Sequence, residues 1–173
     1  MGTNWDKYRE DFRNLTHRMV RILGKFVQVE GITFEEEMWA GWQEATVTYL
    51  NPQTQSPQKL QFHAFANRLP AAIELILDRM FQVLSDVAGV EWWCYRHETS
   101  NNITIYNNFW RGLDMEIDVL KVPSDWENVD KLILVKAFKK WDGRDQLEVI
   151  YEGEISVFEI FDLVLAVFSL SQL

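Results

Sequence analysis

Cysteine and histidine are scarce in this sequence. Cys94 is the only cysteine, so no disulfide can form within the chain, and the three histidines are His17, His63 and His97. The charged N-terminal residues are not expected to form a signal peptide, which together with the single cysteine favours a reducing, cytoplasmic setting. We expect a fold that is held by packing, without disulfides or a structural metal ion.

Glycine is scarce too. The eight glycines stand singly, so no glycine-rich loop is available to bind a phosphate group. The nucleotide-binding patterns G-x-x-x-x-G-K-[ST] and G-x-G-x-x-G, the hydrolase pattern G-x-S-x-G and the metalloprotease pattern H-E-x-x-H do not occur. These absences favour a protein that is not an enzyme and that uses no cofactor or metal.

Positive charge is in deficit, with 17 Lys and Arg against 26 Asp and Glu and a net charge of -9. Residues 91–173 hold most of the excess, with eight basic against fifteen acidic side chains, whereas residues 1–90 hold nine against eleven. An acidic surface repels phosphate groups, so we expect no direct nucleic-acid binding. The same charge suits a basic protein partner.

Aromatic residues, in contrast, are abundant: 8 Trp, 11 Phe and 5 Tyr make up 14% of the chain. Large rings fill hydrophobic cores, and Trp and Tyr also anchor protein interfaces. The length of 173 residues predicts a single domain over 1–173, because domains usually have about 100–200 residues. We expect most rings in its core and some on a contact surface.

The first half of the chain predicts two amphipathic helices with strands between them. The approximate bounds are 5–24 and 70–89 for the helices, and 43–50 and 59–66 for two strands around a polar loop. Two interpretations stay open for the residues before these strands. They are either alternating strand segments interrupted by a turn at Gly31, or a short helix that Thr33 caps.

The second half predicts five strands and a closing helix over about 157–171. The approximate bounds of the strands are 91–98, 102–109, 113–119, 132–141 and 147–152. Asp142-Gly143 predicts a hairpin turn, and Ser124 and Ser156 each begin a capping-box pattern. The order of helix, three or four strands, helix, five strands and helix predicts an α+β fold, with antiparallel sheets on which the N-terminal, central and C-terminal helices pack.

Three carboxylates at alternate positions are the most distinctive local pattern. Asp114, Glu116 and Asp118 alternate with apolar residues, so on a strand they share one face, about 6.5–7 Å apart. This pattern is typical of the solvated face of a sheet, and also of a surface that orients a basic partner. With the nearby rings of Trp110 and Trp126 as anchors, these residues are the predicted partner-binding site.

A second hypothesis is a small-molecule sensor, or an enzyme without a familiar motif, with a pocket near His63, Cys94 and His97. A cysteine nucleophile needs a histidine within hydrogen-bond distance. Cys94 and His97 are three positions apart, which places them on opposite faces of a strand. The spacing favours Cys94 as a small buried residue.

The closing helix is almost entirely apolar and has no charged residue after Asp162. It is too short to span a membrane, which needs about 20 apolar residues, and Glu159 and Asp162 lie near its start. We expect it to be buried on several sides, and a homodimer contact through it is one way to cover it.

These features together predict a non-enzymatic protein-binding module, such as a chaperone, an adaptor or an inhibitor of the immunity type. In size, acidity and order of elements the chain is similar to secretion chaperones and to toxin-immunity or inhibitor proteins. That similarity assigns no residue.

Overall fold

Three α-helices and eight β-strands make up the part of the chain that the computed structural model describes, which is residues 4–37, 41–108, 113–141 and 148–170. The helices are α1 (Trp5–Leu23), α2 (Leu69–Ala88) and α3 (Ile160–Leu170). The strands are β1 (Gln28–Glu37), β2 (Trp42–Leu50), β3 (Pro57–Phe65), β4 (Trp92–Arg96), β5 (Ile103–Asn108), β6 (Leu113–Leu120), β7 (Ile133–Trp141) and β8 (Glu148–Ile155). The predicted α+β class is confirmed, with three strands before the central helix and five after it.

Helix α1 begins and ends where the sequence predicts. The Asn4 side chain accepts a hydrogen bond from the Lys7 backbone N–H, which satisfies a donor that the first turn leaves free. Gly24 follows the last helical residue. Phe12 and Leu15 of the apolar stripe are completely buried, so this helix is held mainly by packing.

The strands β1, β2 and β3 form an antiparallel sheet in chain order. The turn predicted at Gly31 is wrong, because β1 continues through Gly31 with only a shift of register after Val29. The alternative of a helix capped by Thr33 is wrong too, since Thr33 pairs with Thr46 of β2. Pairing with β2 outweighs the local signals of both residues. Residues 38–40 lie outside the described part.

Helix α2 covers one edge of each sheet. The Arg79 Nε donates a hydrogen bond of 3.0 Å to the Gln61 carbonyl of β3. On the other side, the backbone N–H of Arg96 in β4 donates to the Glu74 carboxylate at 2.6 Å. The helix therefore occupies backbone groups that an edge strand otherwise offers to another chain.

The strands β4 to β8 form a second antiparallel sheet, again in chain order, and the five predicted strands are confirmed. A short 3₁₀ helix, Trp126–Asn128, lies between β6 and β7. The Asp125 side chain caps it by accepting the backbone N–H of its last residue at 3.1 Å, so Ser124 is not the cap. The turn predicted at 142–143 lies outside the described residues.

A single hydrophobic cluster joins side chains from both sheets with all three helices. Trp126 is 1% exposed and packs against Tyr8 and Phe12 of α1, with ring centroids 5.4 and 6.1 Å away. Its backbone N–H donates to the Ala66 carbonyl, just after β3, at 3.0 Å. The segment that follows β6 thus ties the five-stranded sheet to α1 and to the three-stranded sheet.

Helix α3 follows a 3₁₀ turn, Val157–Glu159, which Ser156 caps as the sequence predicts. Its described side chains are buried or partly buried, with Ala166 as the exposed exception. Asp162 accepts two hydrogen bonds from Arg21 of α1, at 2.8 and 2.9 Å. No helix in the described residues is long and apolar enough to cross a membrane.

Candidate functional site

The five-stranded sheet has one buried and one exposed side. On β6, Ile117 is completely buried, whereas Glu116 and Asp118 point the other way and are partly exposed. On β4, Trp92 is 7% exposed and its neighbour Trp93 is 43% exposed. The alternation predicted for β6 is confirmed, and β4 alternates in the same way, which leaves carboxylates and rings on the same exposed side.

Strand register arranges the side chains that point away from the core in two rows across the sheet. The first row, in paired order from β4 to β8, contains Trp93, Tyr106, Glu116, Phe138 and Val149. The second row contains Tyr95, Thr104, Asp118, Lys136 and Glu152. We call these ten residues the outer face.

The β4 end of the outer face is aromatic. Trp93 and Tyr106 stack with ring centroids 5.8 Å apart and planes 27° apart. Tyr95 meets Tyr106 edge-on at 6.0 Å and also contacts the His97 ring at 4.8 Å. Rings that support one another on a sheet present a preorganised apolar surface to solvent.

Hydrogen bonds connect this aromatic end to the carboxylates. The Thr104 hydroxyl donates to Asp118 Oδ1 at 3.3 Å. Because its single proton is used in that bond, Thr104 Oγ1 accepts from His97 Nε2, which lies 2.9 Å away. Thr104 is only 5% exposed, so these two linked hydrogen bonds fix the orientation of the Asp118 carboxylate.

Glu116 lies between Tyr106 and Phe138 in the first row. Burial among these neighbours, together with hydrogen bonding to Asp118 and repulsion by its charge, raises the pKa of Glu116 to about 7. A cation beside the two carboxylates relieves the repulsion between them and so favours the ionised form of Glu116.

The nearest basic residue on the outer face does not neutralise the pair. Lys136 is opposite Asp118 in the register, yet its Nζ forms an ion pair with Glu152 on β8 at 3.7 Å. Among the side chains that the structure describes, neither Glu116 nor Asp118 takes part in an ion pair. In the described part of the chain, no positive side chain neutralises this pair.

The five predicted partner-binding residues have different placements. Glu116 and Asp118 lie on the outer face, and Asp114 lies on the same strand, with its side chain outside the described part. Trp110 lies outside the described residues. Trp126 is a core residue, so it does not belong to the candidate site, since burial of its large ring against α1 is strongly favourable.

Sequence reasoning missed Tyr95 and Tyr106 as part of the site. Tyr95 is two residues from Trp93 on β4, and this spacing is enough to place both rings on one side of the strand. Tyr106 joins them because it pairs with Trp93 across β4 and β5, and that register is not visible in the sequence of either strand.

His63, Cys94 and His97 have separate environments. His63 is exposed on β3, in the other sheet, and His97 hydrogen-bonds Thr104 beside the outer face. Cys94 lies on the buried side of β4, with its Sγ 3.6 Å from the Glu74 carbonyl, and burial raises the pKa of its thiol to about 12. Cys94 is therefore a neutral, largely buried thiol at neutral pH, as its spacing from His97 predicts.

In the described ranges no group of three or more His, Cys, Asp and Glu side chains is arranged to hold a metal ion. Comparisons with protein-family models, with curated proteins and with solved structures found no match to this chain.

Proposed function

We propose that this chain is a non-enzymatic protein-binding module whose outer face binds a basic protein partner. The observation that carries the proposal is the juxtaposition of the exposed Trp93 and Tyr95 rings with the Glu116 and Asp118 carboxylates on one sheet surface. Such a surface suits a chaperone, an adaptor or an inhibitor.

The rings supply the binding energy. Trp and Tyr are enriched among interface residues whose truncation costs about 2 kcal/mol or more, because they bury much area and lose little conformational freedom. Trp93 is already held against Tyr106, so little further ordering is needed on binding.

The carboxylates supply orientation and the preference for a basic partner. A positive group beside Glu116 lowers the pKa of that carboxyl from about 7 and so ionises it on binding. The net charge of -9 adds a longer-range attraction that speeds association at low salt.

As part of the same proposal, the protein acts in the cytoplasm, where the free Cys94 thiol stays reduced. A homodimer through α3 stays a prediction.

Capture with the tagged protein from its native lysate, at low and at high salt, identifies the partner. The purified partner is then tested against wild type, Trp93→Ala and the matched control Tyr151→Ala. Tyr151 is 38% exposed and pairs with the buried Ala137, so it lies away from the outer face. We expect Trp93→Ala to weaken binding at least about tenfold and Tyr151→Ala to leave it within about twofold.

The proposal is overturned if the captured partner binds Trp93→Ala as tightly as wild type. It is also overturned if capture recovers only this chain at both salt concentrations.

A further inference from the structure

A cleft lies at the β4 edge of the outer face. It runs between the C-terminal half of α2 and the start of β4 and has a volume of about 440 Å³. Its walls combine acidic and aromatic side chains, which include Asp78, Phe81, Asp86, Glu91, Trp92 and Trp93. Trp93 belongs to both the cleft and the outer face, so the two surfaces are continuous.

All the charged side chains among the described residues that line the cleft are acidic. No Lys, Arg or His is among the described residues that line it. Asp78 is paired with Arg79 on the same helix at 3.1 Å, and Asp86 accepts a hydrogen bond from the Asn51 amide at 3.4 Å. Glu91 is exposed and directly precedes β4. A cation that enters the cleft therefore meets the carboxylates of Asp86 and Glu91, whereas Asp78 is already paired with Arg79.

One exposed ring lines the cleft. Trp93 is 43% exposed, whereas Phe81 and Trp92, which pack edge-to-face at 5.8 Å, are only 3% and 7% exposed. An aromatic face attracts a cation through its quadrupole, most strongly for Trp. Ring and carboxylate together are the two groups that a guanidinium contacts at once, by stacking and by paired hydrogen bonds.

We propose that the cleft between α2 and β4 receives an arginine side chain of the basic partner that the outer face binds. The inference rests on the proposed function and adds to it the chemistry of one anchor residue. Charge complementarity selects a basic side chain for this position. The exposed Trp93 ring then favours arginine over lysine, because an ammonium group is compact, more strongly hydrated and unable to stack.

A pair of peptides tests the anchor without knowledge of the partner. One is a short unstructured peptide that carries arginines, and the other has lysine in place of every arginine. Fluorescence anisotropy of the labelled peptides measures their affinities for the full chain. We expect the arginine peptide to bind at least about threefold more tightly than the lysine peptide, the difference that stacking of a guanidinium gives at exposed sites.

Three variants locate the bound peptide. Glu91→Gln changes the cleft alone, Glu116→Gln changes the outer face alone, and Glu127→Gln, on the exposed side of the 3₁₀ helix, is the control. We expect Glu91→Gln to weaken the arginine peptide about two- to fivefold and to reduce its advantage over the lysine peptide. Glu127→Gln is expected to change neither affinity.

Equal affinities for the two peptides overturn the arginine anchor. So does an arginine preference that Glu91→Gln leaves intact while Glu116→Gln removes it, and in that case binding by the outer face stands. Failure of both peptides to bind also overturns the anchor, whereas the proposed function is then decided separately by the capture of the partner and its response to Trp93→Ala.

Discussion

At the scale of single residues, Glu116 shows how a sheet surface changes the chemistry of a carboxyl group. Its cross-strand neighbours Tyr106 and Phe138 limit its hydration, and Asp118 adds a second negative charge. The folded state therefore raises the pKa of Glu116 from 4.5 to about 7. In the unfolded chain these neighbours are lost, so the folded protein holds this proton more tightly.

This difference predicts how stability depends on pH. A carboxyl whose pKa is raised on folding contributes stability that is full below pH 4.5, the unfolded value, and is lost as the pH rises through about 7. Glutamine does not ionise, so Glu116→Gln lacks this pH-dependent contribution to stability. Its stability relative to wild type is expected to be about 1 kcal/mol greater at about pH 8 than at about pH 4, a value reduced for solvent screening of a half-exposed group.

Urea unfolding of the variant and of wild type at both pH values measures this change. Asp118→Asn is the companion variant, because it removes the neighbouring charge and leaves Glu116 in place. We expect it to show part of the same effect. A stability difference between Glu116→Gln and wild type that is the same at both pH values contradicts the raised pKa.

At the scale of elements, the sequence predicts a helix or strand best where a single periodic pattern is present and no local turn or cap signal conflicts with it. The strict alternation around Ile117 predicts β6, and the apolar stripe around Phe12 predicts α1, since burial of one face is enough to define each element. In β1 the signals conflict, because Gly31 favours a turn and Thr33 favours a helix cap. Only the pairing of β1 with β2 decides between them.

The sequence likewise predicts only the part of the candidate site that lies on a single strand. The spacing of Glu116 and Asp118 on one strand shows that they share a face. The contact of Trp93 with Tyr106, and the position of Glu116 beside that pair, depend on register across three strands. The placement of Trp126 was not predictable either, because a ring in a short connecting segment carries no periodic pattern that indicates burial.

The end of α2 gives a prediction about one element. Gly89 follows the helix with a φ of 66°, and a Cβ there meets no atom within 4 Å. Gly89→Ala is therefore expected to lower the free energy of unfolding by about 1 kcal/mol, purely because an L-residue disfavours the left-handed conformation. Thermal or urea unfolding measures the loss.

Gly31→Ala in β1 is the matched control. A Cβ at Gly31 also meets no atom within 4 Å, and its backbone is outside the left-handed region. We expect no loss of stability, or a gain of a few tenths of a kcal/mol, because alanine reduces the freedom of the unfolded chain. Equal losses at both positions contradict the conformational explanation.

At the scale of the whole molecule, two sheets built from local hairpins depend on shared helices. α2 hydrogen-bonds the edges of both sheets through Arg79 and Glu74. Arg21 of α1 is paired with Asp162 of α3. Trp126, in the segment between β6 and β7, packs against Tyr8 of α1, and its backbone N–H donates to the Ala66 carbonyl after β3. Because one hydrophobic cluster joins both sheets with all three helices, we expect neither sheet to be stable alone.

Trp126→Ala tests this interdependence. Removal of a completely buried indole that contacts Tyr8 and Phe12 is expected to cost about 3–5 kcal/mol, whereas the control Tyr151→Ala, at an exposed ring, is expected to cost about 0.5 kcal/mol or less. Far-UV circular dichroism and tryptophan fluorescence should report one coincident urea transition in wild type and in both variants, since the shared core links the two sheets. Two separate transitions, of which Trp126→Ala shifts only one, would show that the sheets belong to two independent domains and would contradict a single domain over 1–173.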